Sequence, residues 1–278
     1  MKRSILLVIT LCISYFSYAK HKQYLTQTYI SNDLYYSQIS DSAFMITHYF
    51  PQWGFNSMFV LLPNKKGVLI DTPCETTGID SLLQWIYTKF GKLELTAIVT
   101  GYHYDNLGGN QVLLSEGINV YGADLTKQLV EERREEHKKL ILETAAKRKN
   151  KRFYNSLLEL ELTPPNKIFP ISEGLKLKIE DEVFEVYFPG ESHTIDNTVV
   201  YLHKRQILFG GCMIKGLMYN TPGYTAEANM TEWPKSVQKV IYKFPECKKV
   251  VPGHGDNDGV ELLNHTLNIL SNWHKNKD

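Results

Sequence analysis

The stretch Leu95-Thr96-Ala97-Ile98-Val99-Thr100-Gly101-Tyr102-His103-Tyr104-Asp105-Asn106-Leu107-Gly108-Gly109 sets the reading of this chain. Its first six residues form an apolar, β-branched run of the length of a buried strand. The run ends in a glycine-punctuated turn that carries an imidazole and a carboxylate two residues apart. Extended backbone sends alternate residues to one side, so Gly101, His103 and Asp105 are expected on one face, with Tyr102 and Tyr104 on the other. Glycine supplies no side chain, which leaves that face with a hole at Gly101. Gly108-Gly109 allow close backbone approach at the start of a helix, whose amide dipoles favour the Asp105 carboxylate.

Three later stretches repeat this arrangement of apolar run, glycine turn and metal-ligand side chain. They are Phe188-Pro189-Gly190-Glu191-Ser192-His193, Ile207-Leu208-Phe209-Gly210-Gly211-Cys212 and Val250-Val251-Pro252-Gly253-His254-Gly255. His103, Asp105, His193, Cys212 and His254 are thus expected at strand ends, delivered to one place. Imidazole, thiolate and carboxylate together suit a borderline-soft divalent cation, zinc ahead of magnesium or calcium. The pattern predicts a zinc hydrolase.

Outward from these turns, Phe59 to Leu62 and Gly67 to Asp71 read as a hairpin. Ile79, Leu82, Leu83, Ile86 and Phe90 mark an amphipathic helix stopped by Gly91. A helix follows Gly109, and another is expected from Leu125 to about Lys149. After Pro164-Pro165 the pattern restarts, with strands at Leu175 to Ile179, Val183 to Phe188, Thr198 to Leu202, Ile207 to Gly211 and Lys249 to Val251. Helices are expected from Pro234 to Phe244 and from Val260 to Leu270. Two similar halves predict an α/β fold of two facing sheets with helices outside, a four-layer αββα sandwich. A single domain over 20–278 is expected, with the ligands along one edge.

The run Glu131-Glu132-Arg133-Arg134-Glu135-Glu136 carries mixed signs at helical spacing, such as Glu135 with Lys139, and predicts a solvated helix face. His21, His48, His137, His203, His265 and His274 lack neighbouring ligand spacing and are expected to be structural or solvated.

The first residues read as an address. Lys2-Arg3 precede an apolar stretch from Ile5 to Ile13, too short for a membrane span, and Ser17-Tyr18-Ala19 offers a small-x-small cleavage site. Residues 1–19 are expected to be a signal peptide cleaved after Ala19, giving a periplasmic or secreted monomer. Losing Lys2 and Arg3 takes the formal charge from +1 to −1, so no nucleic-acid or membrane partner is implied. Cys74, Cys212 and Cys247 then remain, an odd count in an oxidising compartment, so at most one disulfide forms. Cys212 is the expected ligand, because Gly210-Gly211 let the chain turn sharply after a strand. Whether Cys74 and Cys247 pair is open.

These motifs resemble those of class B metallo-β-lactamases, in particular the broad-spectrum first subclass. Members carry His-x-His-x-Asp followed by Gly-Gly, then Gly-x-x-His-Thr-x-Asp-Asn, Gly-Gly-Cys with a lysine three residues on, and Gly-His near the end. This chain has Gly101-Tyr102-His103-Tyr104-Asp105, Gly190-Glu191-Ser192-His193-Thr194-Ile195-Asp196-Asn197, Gly210-Gly211-Cys212-Met213-Ile214-Lys215 and Gly253-His254. The likeness extends from Phe55 to Leu270.

The resemblance implies hydrolysis of the strained amide of β-lactam antibiotics, with resistance as its consequence. One zinc is implied at Asp105, Cys212 and His254. The family's other zinc uses three histidines, of which this chain keeps His103 and His193 and has Gly101 for the third, so that site is incomplete. Gly101→His is accordingly expected to raise affinity for a second zinc. The family's second subclass, which has asparagine followed by tyrosine at this place, works with a single zinc at Asp-Cys-His. His103 or Asp105 is implied as general base, and Lys215 as the anchor for the substrate carboxylate. Trp53 and Phe55 fall where the family has a mobile flap, and Tyr224 where it has a substrate-loop asparagine. A thioesterase or lactonase of the same fold would usually carry histidine and aspartate where this chain has Asn106 and Cys212. A non-catalytic zinc-binding protein is the other alternative, with Gly101 marking a decayed site.

Overall fold

A computed structural model describes residues 25–31, 33–50, 53–147, 149, 151–256 and 258–275. The expected leader and His21 lie outside these residues. Period-two alternation in the strands decides how the layers stack. In β5 (Lys66–Ile70), Val68 and Ile70 join one apolar cluster while Leu69 joins another. In β11 (Val199–Leu202), Val200 and Leu202 point one way and Val199 and Tyr201 the other. Strands buried on both faces read as unbroken apolar runs, and each such side chain withdrawn from water contributes about 1.5–3 kcal/mol.

The two sheets come from consecutive lengths of chain. The first orders β1 (Thr28–Ser31), β2 (Leu34–Ser40), β3 (Ala43–Tyr49), β4 (Gly54–Leu62), β5, β6 (Glu94–Ile98), β7 (Asn119–Ala123) and β8 (Lys167–Phe169) side by side. It is antiparallel up to β5 and parallel from there to β8. The second orders β13 (Lys249–His254), β12 (Ile207–Lys215), β11, β10 (Glu182–Tyr187) and β9 (Leu175–Ile179), with only β12 and β13 parallel.

Met58, Val60, Val68 and Ile70 of the first sheet meet Phe184, Val200, Phe209 and Val251 of the second in a central core. The outer face of the first sheet is covered by α1 (Thr76–Phe90), α3 (Asn110–Ser115), α4 (Asp124–Lys147) and α5 (Lys151–Glu159), with the single turn α2 (Tyr104–Leu107) between α1 and α3. The outer face of the second packs against Trp233, Val237 and Val240 of α6 (Trp233–Lys243) and Leu262 and Leu270 of α7 (Glu261–Lys275). This is the αββα sandwich expected.

Several elements differ from the expectation. β1, β2 and β3 precede the predicted hairpin; β2 reads Leu-Tyr-Tyr-Ser-Gln-Ile-Ser, too polar for the apolar-run criterion. The sheets are unequal because that meander enlarges the first. α1 begins where Glu75 accepts the amides of Thr77 at 2.9 Å and Gly78 at 2.8 Å, and ends at Gly91 as predicted. The charged helix is α4, but no Glu135–Lys139 ion pair occurs among the described residues; the pairs formed include Lys127–Glu131 and Arg134–Glu135. Cys74, Cys212 and Cys247 are all free thiols. No described helix is long and apolar enough to cross a membrane.

Candidate metal centre

The metal turn is fastened to the end of β5. Asp71 adopts a left-handed backbone, φ 56°, which costs a non-glycine residue about 1–3 kcal/mol. Its buried carboxylate accepts the amide of Thr100 and the Thr100 hydroxyl, both at 2.7 Å, and the Asn106 amide at 2.8 Å. Residues 100 and 106 are thereby clamped, and the chain between them presents His103 and Asp105. The backbone does not stay extended through this stretch: His103 is extended, but Asp105 lies in the helical turn α2. Tyr102 and Tyr104 therefore do not share an opposite face. The Tyr102 ring lies 4.8 Å from that of His103, and Tyr104 lines the same cleft as Asp105.

Cys212 arrives from β12, where the pairing with β13 slips register between Phe209 and Gly211 and again between Gly211 and Lys215. Such slips re-aim side chains. The strands are close enough here that a Cβ on Gly253 would lie 2.5 Å from the Gly211 carbonyl carbon. His254 ends β13, and its Nδ1 lies 3.2 Å from the Gly54 carbonyl oxygen of β4. A carbonyl only accepts, so Nδ1 carries the proton and Nε2 is left as the donor atom. Asn56 of β4 holds the same edge, donating to the carbonyls of Pro252 at 3.0 Å and Gly255 at 2.6 Å.

The donor atoms of Asp105, Cys212 and His254 all lie within 4.8 Å of one another. The Cys212 thiol is 3.1 Å from Asp105 Oδ2, and His254 Nε2 is 3.4 Å from the same oxygen and 3.8 Å from Cys212 Sγ. Burial alone would push Asp105 up, but the hydrogen bond and charge of His254, with His103 and Cys212, hold it well below the usual carboxylate range. Burial and the Asp105 charge push the Cys212 thiol well up. A thiol so placed becomes a thiolate when a cation neutralises the pocket. Carboxylate, thiolate and a correctly oriented imidazole fit a zinc ion.

His193 is buried, its ring centre 5.4 Å from that of His103. Burial, then the charge of Lys215, keeps it well below the usual imidazole range, and its Nδ1 has no hydrogen-bond partner. These histidines line a cleft of about 440 Å³ with Lys215, Trp53, Phe55, Tyr224 and His254. Trp53 is 48% exposed at its mouth and Tyr224 43%. Phe55 is buried, 5.3 Å from the His254 ring and 5.7 Å from that of Tyr104, so it packs beneath the site rather than over it. The Lys215 ammonium is buried 5.3 Å from the Trp233 ring, and burial lowers its pKa.

The hole expected at Gly101 is filled. A Cβ there would lie 2.6 Å from Asn197 Nδ2 and 3.1 Å from Asn106 Oδ1. Both amides are held: Asn197 Oδ1 accepts the Thr194 amide at 2.8 Å, and Asn106 is bonded to Asp71. A histidine at this position would have to displace these amides before it could complete the second site.

Two residues at the centre were not found in the sequence. Glu227, in the loop before α6, places Oε2 2.8 Å from His103 Nε2, while its Oε1 accepts the Tyr102 hydroxyl and lies 3.6 Å from Arg133. His103 and Tyr102 hold the Glu227 carboxyl at about 2 despite burial. His137 of α4, assigned a structural or solvated role above, stacks on His103 with ring centres 4.7 Å apart and planes 19° apart. Burial lowers it to about 4. The signal was available: His137, Leu140, Ile141 and Thr144 lie at helical spacing and form one wall of the cleft.

Comparison with known proteins finds the same architecture. A family model described as the metallo-beta-lactamase superfamily matches residues 51–254. A metallo-beta-lactamase type 2 from Bacteroides fragilis is 29% identical over 248 residues, covering 88% of each chain. The solved metallo-beta-lactamase from Pontibacter korlensis superposes with a TM-score of 0.71 at 31% identity, over 86% of this chain and 99% of that one. A structure of DIM-1 metallo-beta-lactamase exposed to ceftazidime gives a TM-score of 0.71 at 27% identity, over 87% and 98%.

Proposed function

Because the chain belongs to the metallo-beta-lactamase superfamily, we propose that it is a zinc-dependent β-lactamase that opens the cyclic amide of penicillins, cephalosporins or carbapenems and so confers resistance to them. The convergence of the Asp105, Cys212 and His254 donor atoms carries this reading. These three residues would hold one zinc, which when bound supplies Lewis-acid polarisation and stabilises developing negative charge.

The chain's own groups do the rest. Lys215, buried in the cleft wall, offers an ammonium to the substrate carboxylate. His103 is the better proton acceptor of the two sequence candidates, since His254 and Cys212 keep the Asp105 carboxyl a weak base. Glu227 accepts a hydrogen bond from the His103 Nε2–H, which leaves the other ring nitrogen to take a proton from the attacking water. Trp53 and Tyr224 at the mouth, with Leu140 and Ile141 on the wall, cover apolar substituents. Export, to the periplasm or out of the cell, completes the proposal and rests on the sequence of residues 1–19.

Purified protein supplied with zinc is expected to open at least one member of a penicillin, cephalosporin and carbapenem panel, and Cys212→Ala to abolish it. A panel left wholly intact at saturating zinc overturns the proposal.

A further inference from the structure

The geometry points to a second cation site formed by His103, His137 and Glu227 that takes a divalent transition metal such as zinc. The residues come from three separate elements: the metal turn, helix α4 and the loop before α6. One donor atom of each lies within 4.8 Å of the other two. Two imidazoles and a carboxylate are a known three-ligand set for zinc, leaving a fourth position open. Both histidines line the cleft.

Three observations favour a cation over a purely hydrogen-bonded cluster. First, His137 Nε2 is buried and has no hydrogen-bond partner, which is costly unless something occupies it. Second, Glu227 is held as ligand carboxylates commonly are. Tyr102 donates to Oε1 and Arg133 stands beside it, which turns Oε2 toward His103 Nε2, 2.8 Å away, where a cation would replace the shared proton. Third, Asn197 and Asn106 fill the space a side chain at Gly101 would need, so no third histidine is offered from that position.

His103 cannot be proton acceptor and ligand at once, so filling this site takes it out of the role it has with a single zinc. The inference does not depend on the substrate being a β-lactam.

Zinc titration of the metal-free whole protein, by calorimetry with counting of bound metal, tests it. Two equivalents are expected, the weaker being lost in both His137→Gln and Glu227→Gln while the tighter persists. Tyr102→Phe, which removes only a hydrogen bond to Glu227, is expected to weaken the second equivalent about 10-fold. In cobalt-loaded protein the thiolate-to-metal band of Cys212 is expected to survive these substitutions while the second cobalt's visible bands disappear. Circular dichroism of the metal-free variants identifies any that fails to fold, in which case the other variant decides. Saturation at one equivalent, or a second equivalent lost on His193→Ala but kept in both variants, overturns the inference. None of these readouts involves hydrolysis, so an inactive panel leaves the result standing.

Discussion

The Asn197 side-chain nitrogen lies 2.6 Å from the point where a Cβ on Gly101 would sit. Glycine is thus matched to the packing of two held amides. Gly101→His is expected to destabilise the protein by about 1–3 kcal/mol, as overpacking does, without tightening the weaker zinc. Adding Asn197→Ala should recover part of that stability. Thermal unfolding with zinc titration checks both, and tighter zinc binding in the single variant would contradict the packing argument.

The Asp71 clamp gives a second expectation. Removing its carboxylate strands the Thr100 amide, the Thr100 hydroxyl and the Asn106 amide in a buried setting. Asp71→Ala should cost roughly 2–4 kcal/mol in urea unfolding, from several unsatisfied groups together. Zinc affinity should fall with it, although Asp71 is not in the cluster of donor atoms. A loss below about 0.5 kcal/mol, the usual scale of a surface change, would refute the clamp.

His48 sets part of the acid limit. It is buried against Cys74 Sγ at 3.3 Å and stacks on Phe50. Burial lowers it to about 4, with the Asp33 charge opposing and Arg152 assisting. Its folded pKa is depressed below an unfolded value near 6.5, so its contribution is present above pH 6.5 and is lost as the pH falls toward 4. The full loss is on the order of 3 kcal/mol. Urea midpoints across that window should fall more steeply for the wild type than for His48→Gln, and equal slopes would remove His48 from the account.

Lys215 is expected to act in substrate binding. Lys215→Met should raise KM about 10-fold or more for a lactam bearing a carboxylate, the size of a lost charge-assisted hydrogen bond. The effect should shrink for the methyl ester of the same lactam. Equal effects on acid and ester would show that the ammonium does not meet the carboxylate.

The layered fold and the Asp105-Cys212-His254 cluster were legible because each rests on local pattern. Runs such as Ile207-Leu208-Phe209 declare strands buried on both faces, and the glycine turns after them declare where side chains are released. What was missed depends on contacts distant in sequence. Tyr35 and Tyr36 of β2 gave no apolar run, yet pairing with Thr47 and Ile46 of β3 makes a strand of them. His137 sits in a strongly charged stretch whose average polarity masked one inward-facing stripe. Glu227 meets His103 across a separation of 124 residues. The space at Gly101 could not be judged either, because Asn197, which fills it, belongs to another segment of the chain.

X-ray absorption at the zinc edge of the protein carrying one equivalent tests the central claim most directly. Coordination by Asp105, Cys212 and His254 predicts one sulfur at about 2.3 Å together with nitrogen and oxygen neighbours near 2.0–2.2 Å. The sulfur contribution should disappear in Cys212→Ser. A first equivalent with no sulfur neighbour would contradict the account.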